Sequence, residues 1–317
     1  VKRILLWTGV VIAMGGCATM NQVRPEVVYG SRSYQPIVTT IDEMRVEYCY
    51  LPPTDPSGHV CLAIHGAAGG WDQAYDMAGI VPDGTGVLAV SRFGYLESDL
   101  PDDPSPSRQA EVYRALLDRL GIPSVVLLGG SAGSVAAVRF ALLYPDRTSG
   151  VILLAGGSFA SAGETTGGPP AFLINDFCFG LLRVLTPGFY RSMLGISRRE
   201  WRKASEEARQ AYRDQIKGMF PIKPRRAGIL TDMEVTNNDP VINPEHYSVE
   251  EIKCPVLILH SATDPWNSPE QMARLASRIP NVDLVITPGG GHVMLGYEAL
   301  LKEATATFFR ELRDAHQ

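Results

Sequence analysis

Residues 127–145, LLGGSAGSVAAVRFALLYP, leave this chain few ways to fold: an apolar run stops at a serine set among glycines, and an equally apolar run follows. Val125, Val126, Leu127 and Leu128 form a short β-branched-rich run suited to a strand buried on both faces. The span from Ser134 to Tyr144 is too long for a typical strand and rich in helix formers, so it predicts a buried helix. The turn joining the two must be tight enough to bring their backbones close together. Side chains two positions either side of its central residue would clash, and Gly129 and Gly133 remove them. Gly129-Gly130-Ser131-Ala132-Gly133 fits the pattern G-x-S-x-G, in which a strained turn presents a serine hydroxyl at the end of a sheet.

A serine hydroxyl becomes a nucleophile only when a base takes its proton and an acid orients that base. Of the six histidines, His59 and His65 precede the turn, His246 lies in a polar connection, His260 ends an apolar run as a structural residue would, and His316 is in the tail. His292 differs, because the predicted strand Val282 to Ile286 is followed by the loop Pro288-Gly289-Gly290-Gly291, which delivers it at its end. The run from Cys254 to His260 predicts another buried strand, and Asp264 lies on the loop beyond it. Ser268, Pro269 and Gln271 then form the N-cap, first residue and capping box of a helix. Ser131, Asp264 and His292 all fall after strand C-termini, where functional groups gather in open α/β sheets.

Val60 to Ile64 predicts a buried strand ending in His65-Gly66-Ala67-Ala68-Gly69-Gly70. Small residues there leave backbone N–H groups free, and the amides of Ala67 and Ala132 are the expected donors to a transition-state oxyanion. His65 is expected to order this loop rather than to react.

From about residue 59 to 157 and from 251 to 310 the chain resembles the α/β-hydrolase superfamily, whose order of nucleophile, acid and base is the order Ser131, Asp264, His292. Ser91-Arg92-Phe93-Gly94-Tyr95-Leu96-Glu97-Ser98-Asp99 resembles that family's R-x-G-x-G-x-S turn, with Leu96 where glycine is usual. Ser107 to Leu120 reads as the helix before the Ser131 strand, and Thr148 to Ala155 as the strand after it. The resemblance implies an α/β fold with a mostly parallel sheet, a helical cap insertion and a serine esterase activity. Many relatives carry histidine before the nucleophile; Gly130 here is expected to leave the adjoining pocket open. A serine nucleophile argues against the related epoxide hydrolases and haloalkane dehalogenases, which use aspartate.

At 317 residues and 45% hydrophobic content the chain can bury one large α/β core plus an insertion. A formal charge of −5 gives no reason to expect nucleic acid, and the absence of clustered Cys/His spacing or a dinucleotide glycine fingerprint makes the expected chemistry free of metal and cofactor. Lys2-Arg3, the apolar run Ile4 to Met14 and Gly15-Gly16-Cys17 have the layout of an export signal. Met14-Gly15-Gly16-Cys17 resembles a bacterial lipobox, which implies lipidation of Cys17 and membrane association through a lipid anchor. Ordinary secretion after cleavage is the alternative. The expected organisation is a signal over 1–17, a tether over 18–35, a hydrolase core over 36–157 and 251–317, and a helical cap over 158–250. Cys49, Cys61, Cys178 and Cys254 are expected to form no obligatory disulfide.

Within the insertion, Pro169 to Leu185 is apolar and aromatic, with Phe172, Phe177 and Phe179, and some of the insertion's aromatic residues are read as alternatives for lining an acyl pocket. Ser197 to Met219 predicts a helix opened by the capping box Ser197-Arg198-Arg199-Glu200, with Trp201, Ala204, Ala208, Tyr212 and Ile216 on one face. Between Arg198 and Arg226 ten Lys/Arg stand against four Asp/Glu, read as a solvated face or as a surface for anionic headgroups. Three functions fit: carboxylic ester hydrolysis, the same triad used on lactones, thioesters, amides or in perhydrolysis, and binding on a hydrolase scaffold without catalysis.

Overall fold

The computed structural model describes residues 27–29, 32–54, 58–157, 168–186 and 188–314. The expected signal and Cys17 lie outside them. The chain divides at Gln35/Pro36 into two compact units. In the first, β1 (Val27–Tyr29) pairs antiparallel with β2 (Arg32–Tyr34), so the stretch expected to be only a tether contains a short hairpin. Strand pairing needs no buried side chain, which is why composition did not reveal it.

The second unit carries an eight-stranded sheet. Its strands are β3 (Ile37–Ile41), β4 (Met44–Leu51), β5 (Val60–Ile64), β6 (Gly86–Val90), β7 (Val125–Gly130), β8 (Thr148–Leu154), β9 (Val256–Ser261) and β10 (Val282–Thr287), in the spatial order β10-β9-β8-β7-β5-β6-β4-β3. Pairing from β10 through to β6 is parallel, while β4 runs antiparallel to β6 and β3 to β4. Strands β5, β6, β7 and β9 are buried at every position, as expected of parallel strands covered on both faces.

The chain leaves β5 towards β6 on one side and returns to β7 on the other. Connections after β5 and β7 therefore diverge and open a crevice at their carboxyl ends, where open α/β sheets place their ligands. Packed against the sheet are α1 (Trp71–Met77), α2 (Pro106–Leu120) and α3 (Gly133–Leu143). Between β8 and β9 the insertion contributes α4 (Asp176–Leu185), α5 (Phe189–Met193), α6 (Arg198–Lys203), α7 (Glu206–Gly218), α8 (Arg226–Thr231) and α9 (Asp239–Ile242). The last helices are α10 (Pro269–Arg278) and α11 (Glu298–Asp314).

Both capping boxes form as read, Ser268 with Gln271 and Ser197 with Glu200. The helix expected from Ser197 to Met219 is broken at Ala204-Ser205, because Ser205 caps a new helix by accepting from the Ala208 amide. Its apolar stripe survives the break: Ala208, Tyr212 and Ile216 are buried with Leu295, and Trp201 and Ala204 pack beside them. The basic run does not form one solvated face. Arg225 is buried against Asp72 at 2.5 Å, and Arg226 donates to the carbonyls of Ile174 and Ala171. The four described cysteines are free thiols, with Cys49 and Cys61 buried. Among the described residues no helix is long and apolar enough to cross a membrane, and no His/Cys/Asp/Glu group could hold a metal ion.

Candidate active site

Ser131 directly follows β7 with a φ of +48°, a left-handed conformation that costs a non-glycine residue about 1–3 kcal/mol. Two close approaches enforce it. A Cβ on Gly129 would lie 2.7 Å from the Cα of Ser134, and one on Gly133 would collide with the carbonyls of Ile64 and His65. The turn is tied down by the Ser131 amide donating to Leu154 O at 2.9 Å and by Ser134 Oγ donating to Ser131 O at 2.5 Å. Gly130 does not leave an open pocket. The Met77 thioether of α1 occupies that space, 2.6 Å from where a Cβ would stand, so the site beside the serine is walled by sulfur and methyl rather than by imidazole.

On the loops after β9 and β10 the structure brings Asp264 and His292 together, with His292 Nδ1 donating to Asp264 Oδ2 at 2.7 Å. The other carboxylate oxygen accepts from the amides of Trp266 and Asn267 at 2.8 and 3.3 Å. Burial alone would raise the Asp264 pKa; the hydrogen bond and charge of His292 and the Trp266 amide more than offset it, and the carboxyl sits below its usual range. Trp266, half exposed, stands edge-on to the imidazole with ring centroids 4.3 Å apart. Ser131 lies at the same carboxyl edge of the sheet, two strands from β9. His260, by contrast, is buried and bonds Asn267 O through Nε2, the structural placement expected of it.

The loop after β5 reaches the serine: a Cβ on Gly66 would stand 3.0 Å from Ser131 Cβ. Among the described residues the amides of Ala67 and Ala132 donate to no protein acceptor, whereas those on either side of Ala67 are engaged, Gly66 with Gln73 Oε1 and Ala68 with the Tyr95 hydroxyl. Ala132 also stands at the N-terminus of α3, whose dipole favours negative charge. His65 orders the loop as expected. Its Nε2 accepts from the Arg92 amide at 3.0 Å, which places the ring proton on Nδ1, 2.6 Å from Gly66 O. Burial, reinforced by the Arg92 charge, pushes its pKa well below the ordinary value and keeps the ring neutral.

Sequence reading missed what lies beneath this loop. The Arg92 guanidinium, itself buried, pairs with both oxygens of Asp232 at 2.5 and 2.7 Å and donates to Gly66 O at 3.1 Å. Tyr95 OH donates to Asp232 and accepts from the Ala68 amide. Arg92 belongs to the quoted turn motif, but Asp232 arrives from the insertion, 140 residues away, with no local pattern to mark it. Leu96 supplies the left-handed backbone (φ +53°) that glycine normally provides in that motif.

The insertion also grips the loops that carry Asp264 and His292. Leu194 O accepts from the His292 amide at 2.8 Å. Glu200 closes its capping box through Oε2, and its Oε1 accepts from the Gly290 amide at 2.8 Å; the Thr263 hydroxyl lies 3.5 Å from that oxygen and accepts from the Gly291 amide at 2.9 Å. Burial opposes charge on Glu200, yet these hydrogen bonds outweigh it and lower its pKa. Of the phenylalanines in the stretch from Pro169 to Leu185, Phe172 and Phe177 face solvent and only Phe179 packs inward, against the cluster around Tyr190.

Residues 61–303 match the model of the alpha/beta hydrolase family, and the chain belongs to that family. It is 27% identical over 262 residues, 79% of this chain and 85% of the relative, to a 2-hydroxy-6-oxononadienedioate/2-hydroxy-6-oxononatrienedioate hydrolase of Paraburkholderia phymatum. Over a shorter span of 111 residues, 33% of this chain and 39% of the relative, it is 33% identical to a 2-hydroxy-6-oxo-6-phenylhexa-2,4-dienoate hydrolase of Burkholderia cepacia. The fold is similar to that of a thermophilic esterase from Thermogutta terrifontis, with a TM-score of 0.60 and 21% identity over 88% of this chain and 98% of that one. The family and fold establish a hydrolase.

Proposed function

We propose that this hydrolase cleaves neutral carboxylic esters through an acyl-enzyme on Ser131. The observation that carries the reading is the 2.7 Å bond from His292 Nδ1 to Asp264, which fixes the tautomer and leaves Nε2 to take the serine proton. Ser131 Oγ attacks the acyl carbonyl, and the amides of Ala67 and Ala132 receive the oxyanion. His292 then protonates the departing alcohol, and water, activated by the same imidazole, releases the acid. No step needs a metal or a cofactor.

Relatives that act on oxo-dienoates favour a second reading, hydrolysis of a carbon–carbon bond beside a ketone. A dienedioate substrate carries two carboxylates and calls for cationic partners. Here the buried arginines Arg92 and Arg225 are already committed to Asp232 and Asp72, and Met77 and Trp266 are the neighbours of the serine turn and the imidazole. Neutral surroundings of this kind support the ester reading. The test is a panel of chromogenic esters of increasing acyl length set beside a 2-hydroxy-6-oxo-dienoate, together with fluorophosphonate labelling. Ester turnover and labelling, both lost in Ser131→Ala, are expected; turnover of the dienoate alone would assign the second reading, and Ser131→Ala with full activity would remove both.

A further inference from the structure

Helix α4 turns an apolar face outward. Phe177, Leu181, Val184 and Leu185 are 61, 40, 73 and 67% exposed, and at helical spacing they share a sector of about 100°. Phe172 precedes them and Phe189 and Met193 follow, so that eight of the fourteen large apolar side chains exposed among the described residues fall between Phe172 and Met193. Single exposed apolar residues are ordinary, but such a concentration marks a contact surface.

This surface is held in place from behind. Asp176 accepts from the amides of Ile222 and Lys223 at 2.6 and 3.1 Å, Asn175 caps the helix at the Cys178 amide, and Tyr190 OH donates to Phe179 O at 3.0 Å. The polar groups of α4 and the inward Phe179 are thus spent on the protein, while the outward face has no partner among them.

Its charge is one-sided. From Phe177 to Arg199 the sequence holds Arg183, Arg191, Arg198 and Arg199 and no Asp or Glu, in a chain whose formal charge is −5. Arg191 and Arg198 line a cleft of about 310 Å³ with Thr186, Phe189, Ser192 and Ser197, next to the C-terminal end of α4.

We propose that this face docks on an anionic lipid bilayer, with α4 in the plane of the interface, its apolar residues at the acyl boundary and the arginines on the phosphate headgroups. An apolar stripe flanked by arginine, on a helix whose one acid, Asp176, is taken up by the amides of Ile222 and Lys223, is the composition of an interfacial helix. A second copy of this chain fits the face less well, because a symmetric pairing would bring the four arginines towards their own copies. The proposal rests neither on lipidation of Cys17 nor on the identity of the substrate.

Flotation of the full chain with lipid vesicles tests it, each variant being set beside the unsubstituted chain so that any contribution of residues 1–35 is common to both. The protein is expected to float with phosphatidylglycerol/phosphatidylethanolamine vesicles and much less with phosphatidylcholine vesicles. The pairs Phe177→Asp/Val184→Asp and Arg191→Glu/Arg198→Glu should each weaken binding roughly tenfold or more, and salt should weaken it further. Far-UV circular dichroism checks that each variant is folded; should the first pair unfold the chain, the arginine pair decides. Three results would overturn the proposal: no flotation with anionic vesicles, flotation unchanged in a folded Phe177→Asp/Val184→Asp, or a concentration-dependent dimer that this pair abolishes and that does not float.

Discussion

Replacing Asp232 by asparagine preserves the shape of the side chain and removes the charge that Arg92 faces. The two side chains are 2 and 4% exposed, so the guanidinium left behind has no water to turn to. Breaking a buried pair from one side costs about 3–5 kcal/mol, and the oxygen that asparagine keeps places this variant near the lower figure. Against a total stability of about 5–15 kcal/mol, a loss near 3 kcal/mol is large. Urea unfolding should show the midpoint falling with the slope unchanged. Catalysis should suffer as well, because Arg92 holds Gly66 O and Tyr95 holds the Ala68 amide, the two attachments that flank Ala67. Removing an oxyanion donor outright costs about 10²–10³ in kcat, so displacing one should cost roughly 10–100-fold with KM little changed. A stability loss under about 1 kcal/mol together with an unaltered kcat would refute the view that this pair holds the loop.

Asp264→Asn should lower kcat by up to about 10⁴ through the wrong imidazole tautomer, and unchanged kinetics would point to another carboxylate. Glu200→Ala should reduce kcat roughly tenfold at near-constant KM by loosening the His292 loop, and Glu200→Gln, whose oxygen still accepts from Gly290, should restore most of it; equal losses in the two would show that the charge matters instead. Since the folded-state pKa of His65 lies below its ordinary 6.5, the unfolded chain binds the proton first as pH falls. This group therefore adds a loss of up to about 1.4 kcal/mol per pH unit below that value and none above it, and His65→Asn should flatten the acid limb of a plot of urea midpoint against pH.

What could be read from the sequence was what neighbouring residues decide among themselves. Gly129 and Gly133 announce the serine turn because their constraint is the turn's own backbone, and the capping boxes at Ser197 and Ser268 close within four residues. The meeting of Asp264 with His292 was legible because each stands on the loop that follows a largely apolar strand, β9 and β10. Gly130 misled, since its meaning depends on Met77, which reaches it from a different helix. Asp232 carries no local mark and gains its role only when the insertion folds onto Arg92. The break at Ser205 turned on a competition between a helix that continues and a serine that caps, and periodicity alone cannot settle that contest.

The grip of Leu194 and Glu200 on the loops of Asp264 and His292 bears on how such proteins can be recombined. Insertions between β8 and β9 look like interchangeable parts, and a chimera made by cutting at their ends would seem a natural way to graft a new substrate preference. Here the donor segment would have to bring a carbonyl to the His292 amide and an acceptor to Gly290, or the imidazole would lose two of its moorings in the exchange. A graft that begins after Glu200 leaves both in the host, and it is the boundary at which the insertion can be exchanged without loosening the His292 loop.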